Sequence, residues 1–274
     1  MKSARIQLSN GSMHYLDSEG PGHTVVLLHG NSSSANAFAA QFAAFGARHR
    51  LLALDLPGHG QSAAAPAEHY SFVGYADALV EFVERLGLRD YLIFGHSLGG
   101  HAALEALPRL PGLRGLGLIG AVPFNADNAG QLFRPEPTGG LVFQADLDDA
   151  EVTRLARAFV NPAHMEQAQL DTLANYIRAT DPQVRAALGA SLGNGEFADE
   201  VALLAASGVP TVLMQGRDDV FLDADACTRK DLLAPADVSV FLFDECGHCP
   251  HVEDPARFND LMDTFITHIC ENPL

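Results

Sequence analysis

Three residue types that together cleave acyl bonds stand in separate glycine-rich stretches of this chain. Ser97 lies in Gly95-His96-Ser97-Leu98-Gly99, a G-x-S-x-G pattern that Gly100 extends, with the apolar run YLIF before it and the helical stretch HAALEAL after it. Such a strand–turn–helix setting makes the pattern a nucleophile elbow. The tight turn strains the serine, lifts its hydroxyl above the sheet edge and puts a helix N-terminus beneath the developing charge. A serine hydroxyl is a weak nucleophile at neutral pH and needs a base, and the base needs a partner that fixes its tautomer. His248, in DECGHCPHVEDP, follows the last apolar run, and Asp218 and Asp219, in QGRDDVFLD, follow the one before it. Nucleophile, acid and histidine succeed one another in the order found where the serine stands on such an elbow. His251, three residues on, competes with His248 as the base. The backbone N–H of Leu98 supplies one donor for an oxyanion, and the turn His29-Gly30-Asn31 is positioned to supply a second.

Other chemistries fit these residues less well. Cys246-Gly-His-Cys249 is a C-x-x-C, but a redox motif of that kind opens a helix in a small domain, and this one ends a much larger unit. Cys246, His248, Cys249 and His251 are too tightly packed in sequence for tetrahedral zinc, and no His-x-His-x-Asp-His or His-Glu-x-x-His pattern occurs. No metal and no cofactor is expected. His29, His59 and His96 sit in glycine-rich turns where imidazole can bond to loop carbonyls, while His69, His164 and His268 read as surface residues.

These side chains need a frame. Short apolar runs at 25–28, 51–54, 91–94, 116–119, 211–214 and 238–243 end in turns, most of them glycine-containing, and several are followed by helical stretches such as DALVEFVERL at 77–86. Strands alternating with helices give a parallel sheet covered on both faces. From 124 to 206 the rhythm breaks. A loop rich in Asn, Gly and Pro precedes AEVTRLARAFV and AHMEQAQLDTLANYIRAT, and Asp181-Pro182 opens a further helix. The expected organisation is an α/β core at 1–123 and 207–274 with a helical cap inserted at 124–206.

The chain has 274 residues, 47% of them hydrophobic and 19% charged, which suits a globular enzyme with a sizeable core. Thirty-four acidic against 17 basic residues give a net charge of −17, so nucleic acid and anionic membrane surfaces are disfavoured and a small neutral substrate is expected. No apolar run follows the basic N-terminal residues and none approaches the length of a membrane span. All four cysteines fall in the last quarter, which is not a disulfide framework, and a cytoplasmic location is expected.

The stretches HGNSSS, DLPGHGQS, GHSLGG, GRDD and GHCPHVEDP, in this order and spacing, resemble the α/β-hydrolase superfamily over nearly the whole chain. The resemblance implies Asp219 as the acid, third after the glycine, with Asp218 the alternative. It also implies His248 as the base and the backbone N–H of Asn31 as the second oxyanion donor. A proline common four positions after the acid is Asp223 here. HGNSSS, DLPGHGQS, YSFVGYADAL and SLGGHAALEAL together look like metal-independent N-acyl-homoserine lactonases of this fold, with weaker similarity across the cap. That likeness implies a serine hydrolase opening an N-acyl-homoserine lactone through an acyl-enzyme, a quorum-quenching activity. A general carboxylesterase or C–C bond hydrolase is the alternative, and a small-molecule receptor that keeps the pocket is the alternative of another class. Haloalkane dehalogenases and epoxide hydrolases are disfavoured, because they carry an aspartate where Ser97 stands. An acyl tail needs an apolar channel. Phe38, Phe124, Phe133, Leu141, Phe143, Phe159 and Tyr176 could line it, although each fits ordinary core better.

Overall fold

The structure, a computed structural model, describes residues 1–135 and 137–271. Eight strands form one sheet: β1 (Lys2–Leu8), β2 (Gly11–Asp17), β3 (Thr24–Leu28), β4 (Arg50–Leu54), β5 (Tyr91–His96), β6 (Leu113–Ile119), β7 (Thr211–Gly216) and β8 (Ser239–Phe243). Their spatial order is β1-β2-β4-β3-β5-β6-β7-β8. β3 to β8 run parallel, and the hairpin β1–β2 adds antiparallel to the edge of β4. The six apolar runs of the sequence are the six parallel strands. The N-terminal hairpin was not among them.

Continuous apolar runs form the central strands because both faces are covered. Alternate residues point to opposite faces. Val26, Leu28, Leu52, Leu54, Ile93 and Leu118 join one core cluster with α2 (Phe72–Arg85) and α3 (Leu98–Ala106). Val25, Leu27, Leu51, Ala53, Leu92 and Phe94 join the other, with residues of α1 (Ala39–Phe45) and of the C-terminal helix Pro255–Glu271. α2 starts at a capping signal, with the Ser71 hydroxyl accepting the Gly74 N–H at 3.1 Å.

Between β6 and β7 lie α4 (Ala129–Leu132), α5 (Asp149–Ala158), α6 (Gln167–Ala179), α7 (Pro182–Gly193) and α8 (Glu200–Ser207). α5 begins with a reciprocal cap between Asp148 and Glu151, and α7 with Asp181 capping Gln183 ahead of Pro182. α5 and α6 share a separate apolar cluster through Val152, Leu155, Leu170, Leu173 and Ile177. The segment is also pinned to the sheet by polar bonds. Tyr70 Oη donates to Asp181 Oδ2 at 2.9 Å, and Asn31 Nδ2 donates to the Val142 carbonyl at 2.7 Å.

The elbow after β5 depends on close approach. A methyl group on Gly99 would lie 2.6 Å from Leu28 Cβ and 2.7 Å from the Leu28 and His29 carbonyl oxygens; one on Gly95 would lie 2.6 Å from the Gly99 carbonyl oxygen. Because backbone atoms supply most of these clashes, rotamer changes cannot relieve them. Gly99→Ala is expected to lower stability by about 1–3 kcal/mol in urea denaturation and to reduce turnover by displacing Ser97.

Candidate active site

Ser97 occupies the turn between β5 and α3 with φ 48° and ψ −117°, a left-handed conformation unfavourable for a non-glycine residue. Its N–H donates to the Ile119 carbonyl at 2.8 Å, tying the turn to the end of β6. The next residue, Gly120 (φ +53°), packs on the His248 ring so tightly that a Cβ would lie 3.0 Å from Nδ1 and Cε1. Serine and histidine therefore flank the same two residues, and both line one cavity.

Asp219 follows β7 and is fully buried. His248 Nδ1 donates to its Oδ2 at 2.7 Å, Gln215 Nε2 donates to the same oxygen at 2.8 Å, and the Phe221 N–H donates to Oδ1 at 2.8 Å. Burial alone would push this carboxyl up, but His248, Gln215 and the Phe221 amide together hold it below the usual carboxylate range. It stays ionised beside the imidazole. Asp218, by contrast, is exposed and accepts a bond from Asn161 Nδ2 at 2.8 Å, so Asp219 is the carboxylate on His248. At the position of the absent proline, Asp223 Oδ1 accepts the N–H groups of Asp225 and Ala226, each at 3.0 Å, and closes the loop by itself.

His251 is buried against Phe38, Phe258 and His96, and neither of its ring nitrogens has a hydrogen-bond partner among the described residues. Burial, with His248 nearby, lowers its pKa to about 3. It has no acid partner and is a poor base. Cys246 and Cys249 are both buried free thiols whose pKa values burial pushes up, to about 12 for Cys246 and well above the ordinary thiol value for Cys249. Among the described residues no group of three or more His, Cys, Asp or Glu side chains could hold a metal ion.

Asn31 and Leu98 both line the cavity. Leu98 is the first residue of α3, where a helix N–H has no intrahelical acceptor. The loop carrying Asn31 is set by imidazoles. His29 Nδ1 donates to the Gly30 carbonyl at 2.7 Å and Nε2 accepts the Leu56 N–H at 3.0 Å. His59 Nδ1 donates to the Pro57 carbonyl at 3.1 Å and Nε2 accepts the Ser32 N–H at 3.2 Å. The glycine-turn histidines thus bond loop carbonyls, as does His96, whose Nε2 donates to the His248 carbonyl at 3.0 Å.

The cavity holds about 460 Å³. Phe124, Phe133, Phe143 and Phe159 line it as anticipated; Phe38, Leu141 and Tyr176 do not. Sequence reasoning missed Phe72, Leu188, Phe197 and Phe221, and also Glu253. The Glu253 carboxylate accepts the N–H groups of Asn161 (2.6 Å), Gly247 (2.8 Å) and Cys249 (3.0 Å), bracketing His248 and fastening the inserted segment to its loop.

A parallel sheet in this strand order, with an elbow serine after β5 and a histidine–aspartate pair on the loops after β7 and β8, defines an α/β hydrolase. The alpha/beta hydrolase family profile matches residues 25–261, and the chain belongs to that family. It is an enzyme of the hydrolase class. The N-acyl homoserine lactonase AidH, solved in complex with N-butanoyl homoserine, superposes with a TM-score of 0.90 at 31% identity over 100% of this chain and 99% of that one. The esterase RhEst1 from Rhodococcus sp. ECU1013 gives a TM-score of 0.83 at 26% identity, covering 98% of this chain and 100% of that one. A 2-hydroxy-6-oxononadienedioate/2-hydroxy-6-oxononatrienedioate hydrolase of Pseudomonas putida is 29% identical over 278 aligned residues, 93% of this chain and 92% of that protein. No helix among the described residues is long and apolar enough to cross a membrane.

His251 yields a stability prediction. Its folded pKa lies below the unfolded value of about 6.5, so between roughly pH 6.5 and 3 the unfolded chain binds a proton that the native state refuses. Stability falls on acidification through that window. His251→Leu is expected to remove about 2 kcal/mol of the loss between pH 7 and pH 5, read from urea midpoints at the two pH values.

Proposed function

We propose that the protein is a serine hydrolase that opens the ring of N-acyl-homoserine lactones, and that residues 124–206 act as the cap over the site. The observation that carries this reading is the cavity's lining, in which a few polar groups stand among many apolar ones. Ser97, His248 and Asn31 are the polar groups of the reaction, and phenylalanines and leucines make up most of the rest. A neutral molecule with a compact polar head and a fatty acyl tail matches that lining. The dicarboxylate in the name of the Pseudomonas putida relative does not. It would need cations at both ends, and among the described lining residues Arg134 is the one Lys or Arg, exposed and 4.0 Å from Asp223.

On this reading Ser97 Oγ attacks the lactone carbonyl while His248 Nε2 takes its proton. Asp219 keeps Nδ1 protonated and stabilises the imidazolium that forms. The backbone N–H groups of Asn31 and Leu98 receive the oxyanion. The ring C–O bond breaks as His248 returns the proton to the leaving alcohol. A water deprotonated by His248 then hydrolyses the acyl-enzyme and releases the open-chain N-acyl-homoserine. Because the alcohol remains tethered to the acyl group, re-closure competes with hydrolysis. Productive turnover therefore requires water to reach the ester faster than the tethered hydroxyl returns.

Incubation with N-hexanoyl-homoserine lactone and mass spectrometry should show the addition of one water, reversed by acidification, and no product with Ser97→Ala. Release of free hexanoate would mean amide cleavage. Fast p-nitrophenyl ester hydrolysis with no lactone opening would favour the general esterase, and tight binding without turnover the receptor. Asp219→Asn is expected to lower kcat by a factor of about 10⁴ through loss of the correct tautomer, whereas Asp218→Asn should retain most of the activity.

A further inference from the structure

One polar side chain among the apolar lining of the cavity is unused by the mechanism above. His101 sits on α3 one turn beyond the nucleophile, its N–H bonded to the Ser97 carbonyl at 3.0 Å, and it lines the cavity. Its ring stacks on Phe72 at 4.8 Å and meets the edge of Phe124 at 5.3 Å. Nδ1 lies 3.0 Å from both carboxylate oxygens of Glu200, the fully buried first residue of α8. Glu200 also accepts the Phe124 N–H at 3.1 Å. With Nδ1 committed, Nε2 is the ring nitrogen left for the cavity.

Two phenylalanines and a glutamate over-determine the position of this imidazole, and a histidine that only filled space would need no buried anion behind it. The pair is enclosed, and it differs from Asp219 and His248: Gln215 and two amides help hold Asp219 ionised, whereas Glu200 has the Phe124 amide beside His101 and burial raises its pKa. Where such a pair keeps one shared proton between Nδ1 and the carboxyl, Nε2 carries the ring hydrogen and is a donor. Arg134, the other polar lining residue outside the groups of the reaction, is exposed and near Asp223, so His101 is the preorganised donor facing the tail.

We propose that His101, held by Glu200, is a specificity-determining residue that donates from Nε2 to a carbonyl oxygen on the acyl chain of the substrate, selecting 3-oxoacyl over unsubstituted acyl lactones. This rests on the lactonase reading. One helical turn separates the Cα atoms of Ser97 and His101 by about 6 Å along α3, so the donor belongs to the part of the cavity wall next to the nucleophile rather than to the oxyanion site itself. An unsubstituted chain leaves the donor unpaired in an apolar wall, the condition under which a site discriminates well. Glu200 acts as a positioning residue, fixing the ring and its protonation.

The test compares kcat/KM for N-(3-oxohexanoyl)- and N-hexanoyl-homoserine lactone. The wild-type ratio is expected to be about ten in favour of the oxo compound, the worth of one charge-assisted hydrogen bond at its lower end. His101→Phe should bring the ratio to about one, and His101→Gln, which restores a donor, should recover part of it. Glu200→Gln should also lower the ratio, because the amide can either donate to or accept from Nδ1 and no longer fixes which ring nitrogen carries hydrogen; a purely structural pair would lower stability and leave the ratio in place. If His101→Phe fails to fold, Glu200→Gln and calorimetric binding of both lactones to Ser97→Ala read the same preference. A wild-type ratio of one with both lactones opened, or a ratio unmoved in the variants, overturns the role of His101 alone. Failure of the wild type to open either lactone overturns the lactonase reading and this inference with it.

Discussion

The site depends on a carboxylate kept ionised where no water reaches it. Asp219 is fully buried, and an isolated charge there would neutralise itself by taking up a proton. It stays charged because its two oxygens receive four donors: His248 and Gln215 at one, the Phe221 and Leu222 amides at the other. The cluster fixes the imidazole, and the imidazole in turn helps hold the carboxyl ionised. Removing one partner leaves the rest uncompensated in a low-dielectric interior, so these loops behave as one unit.

That unit exists only if the loops after β5, β6, β7 and β8 meet at one edge, which is a task for the backbone. Glycines achieve it. Gly99 lets α3 lie on the end of β3, and Gly120 takes a left-handed conformation against the His248 ring. Glu253 then closes the assembly by accepting amides from both sides of His248 and from Asn161. A carboxylate bonded to the base's own loop and to the segment between β6 and β7 makes the seating of that segment and the aim of the base mechanically dependent on each other.

Much of this was legible in the sequence, for identifiable reasons. Strands buried on both faces appear as unbroken apolar runs, and β3 to β7 were found this way; β8 also reads as an apolar run although it is a half-exposed edge strand. β1 was missed because a half-exposed edge strand alternates, as in ARIQL, and β2 because His14 and Asp17 interrupt its buried apolar residues; the signal was the Asn10-Gly11 turn between the two stretches. The histidine–aspartate pair followed from chain order, and the choice of Asp219 over Asp218 from resemblance, since adjacent aspartates look alike until one is buried. The cavity wall was only half anticipated. Tyr176 lies in one helix of the segment and Phe159 ends another, and a periodic pattern says that a residue is inside without saying whether it faces another side chain or a void.

His101 and Glu200 were invisible for a related reason. They stand 99 residues apart, and neither carries a motif that predicts the other. What distinguishes them is location: a buried histidine–carboxylate pair has a desolvation cost that ordinary packing of α3 on α8 would avoid with two apolar residues. The pair sits where the nucleophile's own helix borders the apolar body of the cavity. A buried ionisable pair there is hard to account for as stabilisation. It is accounted for if something entering the cavity needs a donor at that depth, and on that argument the apolar lining is interrupted at one point, with the substrate's own chemistry determining what fills it.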